Sequence, residues 1–327
     1  MVSITKTKVL DEQIIKMTMR AFGEDVVVQD IIELKGGFFN AAYIIVFNDG
    51  RKVVLKISPM KDLKVMRYEN NIMETEVFVL NKMHSIEGIP VPKVLYYDKS
   101  DEIIKCEFLF MEFVDGIPLN EIRNELTEKQ YAKISLNLID IVKKINGIEG
   151  EYFGGISQEN KRFSTWFEAF FYMVKELLED AKDAGISFPF ENNKLYRIIN
   201  KHSDALNKVT KPVLIHKDLW EGNILIDSKN IKIVGVLDCE RAIFGDTLLE
   251  PICGYLWDNK NFMNTFVGRE DLSKDEYIRF TLYKIYLYLI EVIECTYRQY
   301  QGEDRDKWAR TQINQALKEL EKIHSED

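Results

Sequence analysis

Between Val26 and Ile57 the apolar residues fall into short runs broken by turn formers: VVVQDIIEL, Lys35-Gly36-Gly37, AAYIIVF, Asn48-Asp49-Gly50 and KVVLKI. Runs this short and rich in β-branched residues read as strands, and Asn-Asp-Gly supplies the positive-φ positions of a tight hairpin turn. From about Leu63 to Met83 the period changes. Met66, Glu69, Met73, Glu76, Leu80 and Met83 recur at intervals of three and four, which predicts a helix with one inward stripe. IPVPKVLYYD then predicts extended chain, and KCEFLFMEFV another strand closed by Asp115-Gly116. Beyond that point the spacing is helical. Thr127 to Gln130 and Thr165 to Glu168 both have capping-box spacing, the second opening the aromatic run WFEAFFYMVKELLEDAKDAG.

A strand-rich first third joined to a helix-rich remainder predicts an α+β fold of two lobes, residues 1–114 and 115–327, with the crossing at Glu112 to Gly116. Clefts form at such boundaries. With 327 residues the chain is long enough for each lobe to bury its own core. A net charge of −9 argues against a nucleic-acid partner, whose phosphates demand clustered cations, and suits cationic or neutral partners better. MVSITKTKVLDEQ lacks the apolar core of a signal peptide, and Glu291 and Glu294 interrupt the greasiest late run, IYLYLIEVIECTY. The expectation is a cytoplasmic protein with no membrane partner. Cys106, Cys239, Cys253 and Cys295 show neither CxxC nor zinc spacing, so they read as reduced, buried thiols.

The stretch LIHKDLWEGNILI, Leu214 to Ile226, interrupts an apolar strand with a His, two carboxylates, a Trp and an Asn before the strand resumes. Asn223 precedes ILID, a Ser228-Lys229-Asn230 turn follows, and IKIVGVLD ends at Asp238. Paired as a hairpin, the two runs bring Asn223 and Asp238 together at the open end. An Asn amide and a carboxylate are hard oxygen ligands suited to Mg²⁺, which keeps its other positions for water and phosphate. Asp218 stands five residues before Asn223, close enough to approach a hydroxyl beside such an ion.

His216-Lys217-Asp218, Asn223 and Asp238 together resemble the H-R-D-x-x-x-x-N loop and metal-binding Asp of the protein-kinase-like superfamily. Within it, HKDLWEGNILI and VLDCERAIFGD look most like the aminoglycoside phosphotransferase family of small-molecule kinases. The resemblance implies a bilobal kinase-like fold with an antiparallel-sheet first lobe and a mainly helical second lobe. It implies ATP or GTP as phosphoryl donor, Mg²⁺ held by Asn223 and Asp238, and Asp218 as catalytic base. It also implies a lysine on the third strand, which Lys56 matches, reaching the phosphates and paired with a glutamate of the following helix. Glu76 points inward on the stripe, and a buried carboxylate needs a cation; Glu69 shares that stripe and is a rival partner. Gly36 and Gly37 stand where a glycine-rich loop would cover the phosphates, within KGGFFNA. Met111, Glu112 and Val114 stand at the hinge, where backbone groups would meet the base.

Other residues take plainer expectations. His216 is a packing residue of the loop, and Asp246 resembles an Asp that braces the loop through backbone hydrogen bonds. Lys217 departs from the Gly or Asn common at its position, and would depress the pKa of Asp218 if the two side chains approach. The aromatic helices are core, and Glu176, Glu179, Asp180 and Asp183 read as a solvated face, with cleft-lining for cationic substrates as the alternative. Three functions compete: a small-molecule O-phosphotransferase, a protein kinase, and a nucleotide-binding regulator without activity. In the first, an aminoglycoside leads over choline, an amino sugar, a fructosamine or a macrolide. The protein kinase is disfavoured by Trp220 two positions after Asp218 and by the absence of an A-P-E motif.

Overall fold

A computed structural model describes residues 5–37, 39–299 and 303–323 of the chain. Ahead of the first expected strand lies a helix, α1 (Asp11–Phe22), whose Ile14 and Met17 are fully buried. Asp11 and Glu12 occupy its first turn, where the helix dipole favours negative charge. Strands β1 (Val28–Leu34), β2 (Ala41–Phe47), β3 (Lys52–Ile57), β4 (Val94–Asp98) and β5 (Phe108–Glu112) form one antiparallel sheet in the order β1-β2-β3-β5-β4. The β2–β3 turn is the expected Asn-Asp-Gly hairpin: Gly50 takes φ +84° and donates its N–H to the Phe47 carbonyl at 2.9 Å. Ile45, Phe47, Leu55, Ile57, Phe108 and Phe110 close the core of this sheet against α1.

Helix α2 (Ile72–His84) starts later than the stripe suggests. Asn71 sits in the left-handed region at φ 59°, a conformation Asn tolerates and a helix interior does not, so Arg67–Glu69 form a separate 3₁₀ turn. The stripe survives the break. Met66, Glu69, Met73, Glu76, Leu80 and Met83 are all buried, and each apolar member contributes ~1.5–3 kcal/mol by leaving water.

The chain crosses between lobes through Asp115-Gly116 into β6 (Ile117–Pro118), which pairs antiparallel with β10 (Ile224–Asp227), Ile117 opposite Ile226. A Cβ on Gly116 would meet the Leu225 Cβ and a Val234 methyl at 2.9 Å, so the close approach requires glycine. The crossing strand is therefore stitched to the β10–β11 hairpin. One apolar cluster continues across both lobes, from Leu80 and Met83 of α2 through Leu109 and Met111 to Ile224 and Val236.

The second lobe continues with α3 (Leu119–Ile122), α4 (Glu128–Ile145), β7 (Phe153–Gly155), β8 (Arg162–Phe163), α5 (Trp166–Asp183), α6 (Asn192–Lys201) and α7 (Ser203–Asn207). After it come β9 (Val213–Ile215), β11 (Lys232–Val236), β12 (Ile243–Gly245), α8 (Leu249–Cys253), α9 (Lys260–Val267), α10 (Lys274–Tyr297) and α11 (Glu303–Lys322). Both capping boxes form: Thr127 caps α4 with Gln130, and Thr165 caps α5 with Glu168. The aromatic helices are core, as their spacing predicts. Trp166 of α5 donates its indole N–H to the Tyr283 hydroxyl of α10 at 2.5 Å, and both rings are buried. Among the described residues no helix is long and apolar enough to cross a membrane.

Candidate active site

The expected hairpin exists. β10 and β11 pair with Ile224 opposite Val236, and the Leu237 N–H donates to the Asn223 carbonyl at 2.9 Å, closing the open end between Asn223 and Asp238. Asn223 is buried, and its Nδ2 donates to the Asp218 carbonyl at 2.8 Å and to Asp218 Oδ2 at 3.4 Å. With its amide nitrogen so engaged, Asn223 has its Oδ1 left to serve as an oxygen ligand. Burial pushes the Asp218 carboxyl up to about 7, with Arg241 opposing that rise and Asp238 adding to it.

Two non-glycine residues of this loop system hold left-handed backbone: Lys217 at φ 67° and Asp238 at φ 66°. Such conformations cost energy and persist where surrounding structure over-determines them. At Lys217 the determinant is Glu250 of α8, a buried carboxylate that accepts from the His216 N–H at 2.6 Å and the Lys217 N–H at 3.0 Å. The brace expected from Asp246 is thus supplied four residues later. Asp246 is instead buried against Arg279 Nε at 2.8 Å and the Tyr283 hydroxyl at 2.6 Å. His216 is fully buried, burial drives its imidazole down to about 4, and its Nδ1 accepts from the Asp218 N–H at 3.3 Å, in keeping with a packing residue.

Lys56 reaches across the cleft floor to two carboxylates, with Nζ 2.6 Å from Glu76 Oε1 and 2.7 Å from Asp238 Oδ1. The rival, Glu69, is taken by a different cation, the buried Arg298 of the α10 terminus. Burial alone would lower the Lys56 ammonium, but Asp238 and Glu76 carry it well above its ordinary range. A third carboxylate, Glu240, is buried beside them; ligand oxygens of Glu76, Asp238 and Glu240 all lie within 4.8 Å of one another. One ammonium faces three carboxylates. Burial and the proximity of Asp238 consequently push Glu240 well above the carboxylate range, and Glu76 Oε2 is buried without a hydrogen-bond partner. A surplus of buried oxygen charge with an orphaned ligand atom fits a divalent cation of the Mg²⁺ kind.

The β1–β2 loop reaches this cluster through Asn40, whose Nδ2 donates to Glu240 Oε2. Phe39 packs its ring under the Arg298 guanidinium, 4.6 Å away. Gly36 and Gly37 are exposed, with nothing within 4 Å of a Cβ at Gly36, while Phe38 lies outside the described residues. Met111, Glu112 and Val114 stand at the end of β5 and the start of the crossing. Met111 is buried, Glu112 Oε2 accepts from the Lys93 N–H at 3.1 Å, and Val114 packs at Gly235 of β11. Lys56, Glu76, Asp218, Asn223 and Asp238 thus converge. The two glycines and the hinge residues occupy the cleft's rim and its crossing without joining that cluster.

Two expectations are corrected. Glu176 and Asp180 are buried rather than solvated: Glu176 pairs with Lys161 at 2.8 Å, Asp180 accepts from the Arg67 N–H at 2.9 Å and its guanidinium, and Arg67 also reaches Asp183 at 2.8 Å. Lys217 does not depress Asp218; its Nζ lies over the rings of Tyr68 at 4.9 Å and Tyr286 at 5.2 Å. Asn40, Glu240, Arg241 and Glu250 carried no expected role. Arg241 pairs with Glu294 at 2.9 Å, and Asp218 is within reach of its charge. The signals were charged residues set in apolar runs, DCERAIF for two of them and LLEPIC for Glu250.

A family model described as "Phosphotransferase enzyme family" matches residues 30–273, three quarters of the chain. The chain belongs to that family. It has the family signature and the bilobal fold of a small-molecule kinase. Among solved structures it is similar to aminoglycoside phosphotransferase APH(4)-Ia in ternary complex with AMP-PNP and hygromycin B. There the TM-score is 0.66 with 16% identity, covering 94% of this chain and 98% of that one. It is also similar to a putative fructosamine-3-kinase from Thermobifida fusca YX-ER1, with TM-score 0.61, 21% identity and 93% and 98% coverage. A curated relative, acyl-CoA dehydrogenase family member 11 of Rattus norvegicus, is 24% identical over 49% of this chain. The chain spans about a fifth of the length of the curated relatives it matches.

Proposed function

We propose that this chain transfers the γ-phosphoryl group of ATP or GTP to a hydroxyl of a small molecule. The observation that carries the reading is the convergence of Lys56, Asp218, Asn223 and Asp238 on one cleft floor behind a loop braced by Glu250. Residues 1–114 form the nucleotide-binding lobe and 115–327 the catalytic and acceptor lobe. Met111, Glu112 and Val114 receive the base through backbone groups, and the backbone at Gly36 and Gly37, where no side chain intrudes, covers the phosphates. Lys56 holds the phosphates, with Glu76 fixing its position. Asn223 and Asp238, with Glu240 beside them, would hold Mg²⁺, which neutralises phosphate charge when bound. Asp218 orients the acceptor hydroxyl and accepts its proton; a carboxyl at about 7 is matched to that task at neutral pH. Structural neighbours in complex with AMP-PNP and with GDP support a purine nucleoside triphosphate as donor, ATP or GTP. A cytoplasmic setting follows from the need for that donor.

For the acceptor, the neighbour holding hygromycin B supports an aminoglycoside. A specific observation favours a second reading, another small metabolite such as a fructosamine, choline or amino sugar. A polycation needs uncommitted carboxylates, and four inward ones of α5 and α10 are paired internally: Glu176 with Lys161, Asp180 with Arg67, Glu291 with Arg305 and Glu294 with Arg241. A coupled nucleotide-turnover screen against aminoglycosides, macrolides, choline and sugars separates the two. Asp218→Ala is expected to reduce turnover by ~10³-fold or more, with nucleotide affinity little changed. Turnover within a few-fold of wild type would remove Asp218 from its role.

A further inference from the structure

The loop between β1 and β2 is pinned to the second lobe at two points. Asn40 donates to Glu240, and Phe39 lays its ring on the Arg298 guanidinium, 4.6 Å away. Phe39 is buried yet stands outside the apolar clusters that close the two lobes, so the cation it covers sets its place. Arg298 follows the last turn of α10 and is itself only 3% exposed. Its guanidinium pairs with Glu69, from the 3₁₀ turn before α2, and reaches Glu294 Oε1 at 3.3 Å. The same oxygen accepts from Nη2 of Arg241, three residues after Asp238, at 2.9 Å. Two guanidiniums thus share one carboxylate, and segments around residues 39, 69, 241 and 298 meet at one largely buried point. Desolvation offsets most of the attraction in such a network, so its net yield in stability is small. What it fixes is where those segments stand relative to one another.

We propose that Arg298 is a positioning residue for the triphosphate, holding the β1–β2 loop over the cleft through the ring of Phe39. The inference rests on the reading of that loop as the phosphate cover, and adds to it the residue pair that keeps the cover in place. The glycines supply no such hold, since Gly36 has nothing within 4 Å of a Cβ. A loop left free would have to be ordered by the ligand, and that ordering is subtracted from affinity. Phe39 and Arg298 remove the cost before the nucleotide arrives. The benefit falls on the phosphates; the base, received at the crossing, does not draw on it.

The test separates phosphates from base. Calorimetric titration of the full chain with Mg²⁺ compares AMP-PNP with adenosine, and GMP-PNP with guanosine. Phe39→Leu keeps an apolar side chain but removes the ring face. It is expected to weaken binding of the triphosphate analogue by ~10-fold, the scale of a desolvated cation–ring contact, with nucleoside affinity held within about twofold. A packing role alone would move both affinities together. Arg298→Lys, whose compact ammonium cannot serve Glu69, Glu294 and the ring at once, is expected to show the same selective loss. In that background Phe39→Leu should cost no more than about twofold, because the contact it breaks is already gone. If Arg298→Lys does not fold, or the nucleosides bind too weakly to titrate, hydrogen exchange decides. Amides of residues 39–42 in nucleotide-free Phe39→Leu are then expected to exchange ~10-fold faster than in wild type, and an unchanged rate overturns the proposal. So do equal losses for nucleoside and analogue, no loss in Phe39→Leu, or additive losses in the double variant. A wild type that binds neither AMP-PNP nor GMP-PNP sinks the kinase reading as well, whereas one that binds either and is unaltered by Phe39→Leu sinks this inference alone.

Discussion

Two lysines, the largely buried Lys56 and the buried Lys217, answer the withdrawal of a charge from water in opposite ways. Lys56 has two carboxylates within 2.7 Å and is held charged well above the ordinary lysine range. Lys217 has two tyrosine faces near 5 Å and is driven down to about 8. The first is a structural keystone whose removal strands its partners; the second is a buried charge with only ring faces to answer it. Burial alone therefore says little about what a charged residue does. The inventory of its partners says more.

The widest separation between the two is expected in their stability effects, which should have opposite signs. Lys56→Met leaves Glu76 and Asp238 without their cation, and removing one partner of a buried pair costs ~3–5 kcal/mol. Lys217→Met removes an unmatched charge while keeping the apolar stem, and should stabilise the folded chain at pH 7 by about 2 kcal/mol. The sign follows from proton counting. With the folded pKa near 8 and the ordinary value at 10.5, the unfolded chain retains a proton between those limits that the folded chain has lost. Stability of the wild type thus rises with pH across that window, and the advantage of the Met variant should shrink from pH 7 to pH 10. Urea unfolding at both pH values reads both variants; equal signs at pH 7 would erase the distinction.

A smaller contrast sharpens the Lys56 side. Glu69 and Glu76 share one helical stripe, but one answers Arg298 and the other Lys56. Glu69→Gln is expected to cost about 2 kcal/mol in stability, the scale of a buried charged hydrogen bond, and to leave kcat of the folded enzyme near wild type. Glu76→Gln is expected to lose turnover out of proportion to stability, because Lys56 then leans on Asp238 alone. Steady-state kinetics beside denaturant titration distinguishes the pair.

That the stripe would hold two inward carboxylates was legible in the sequence, as was Lys56 for the cation of Glu76; that Glu69 would find Arg298 was not. Spacing reports the face a residue shares, whereas Arg298 lies 229 positions from Glu69 and enters only through the packing of α10 against the first lobe. The hairpin bearing Asn223 and Asp238 was legible because its strands, turn and ligands are contiguous. Helix α1 carried a readable signal, Ile14 and Met17 at helical spacing after Asp11 and Glu12. The late start of α2 did not, since the left-handed Asn71 interrupts a pattern whose buried positions continue on both sides. Lys217 shows the limit most clearly. Sequence placed it beside Asp218, but the left-handed backbone that Glu250 enforces turns its side chain to the tyrosines instead.

That enforcement itself offers the finest test of how the loop is held. Glu250 and His216 are both buried, linked by a backbone hydrogen bond, and shifted in opposite senses: burial raises Glu250 to about 7 and lowers His216 to about 4. As pH falls from 7 towards 4.5, the folded chain takes up a proton at Glu250 that the unfolded chain does not, which stabilises it. As pH falls from 6.5 towards 4, the unfolded chain protonates its histidine while the folded chain resists, which destabilises it. Over the shared window the two slopes oppose each other. Glu250→Gln removes one of them, so between pH 7 and pH 5.5 the variant should lose stability relative to wild type by about 1.5 kcal/mol. Parallel pH–stability curves would mean that Glu250 is ionised throughout, and that it holds the Lys217 backbone as an anion rather than as a neutral acid.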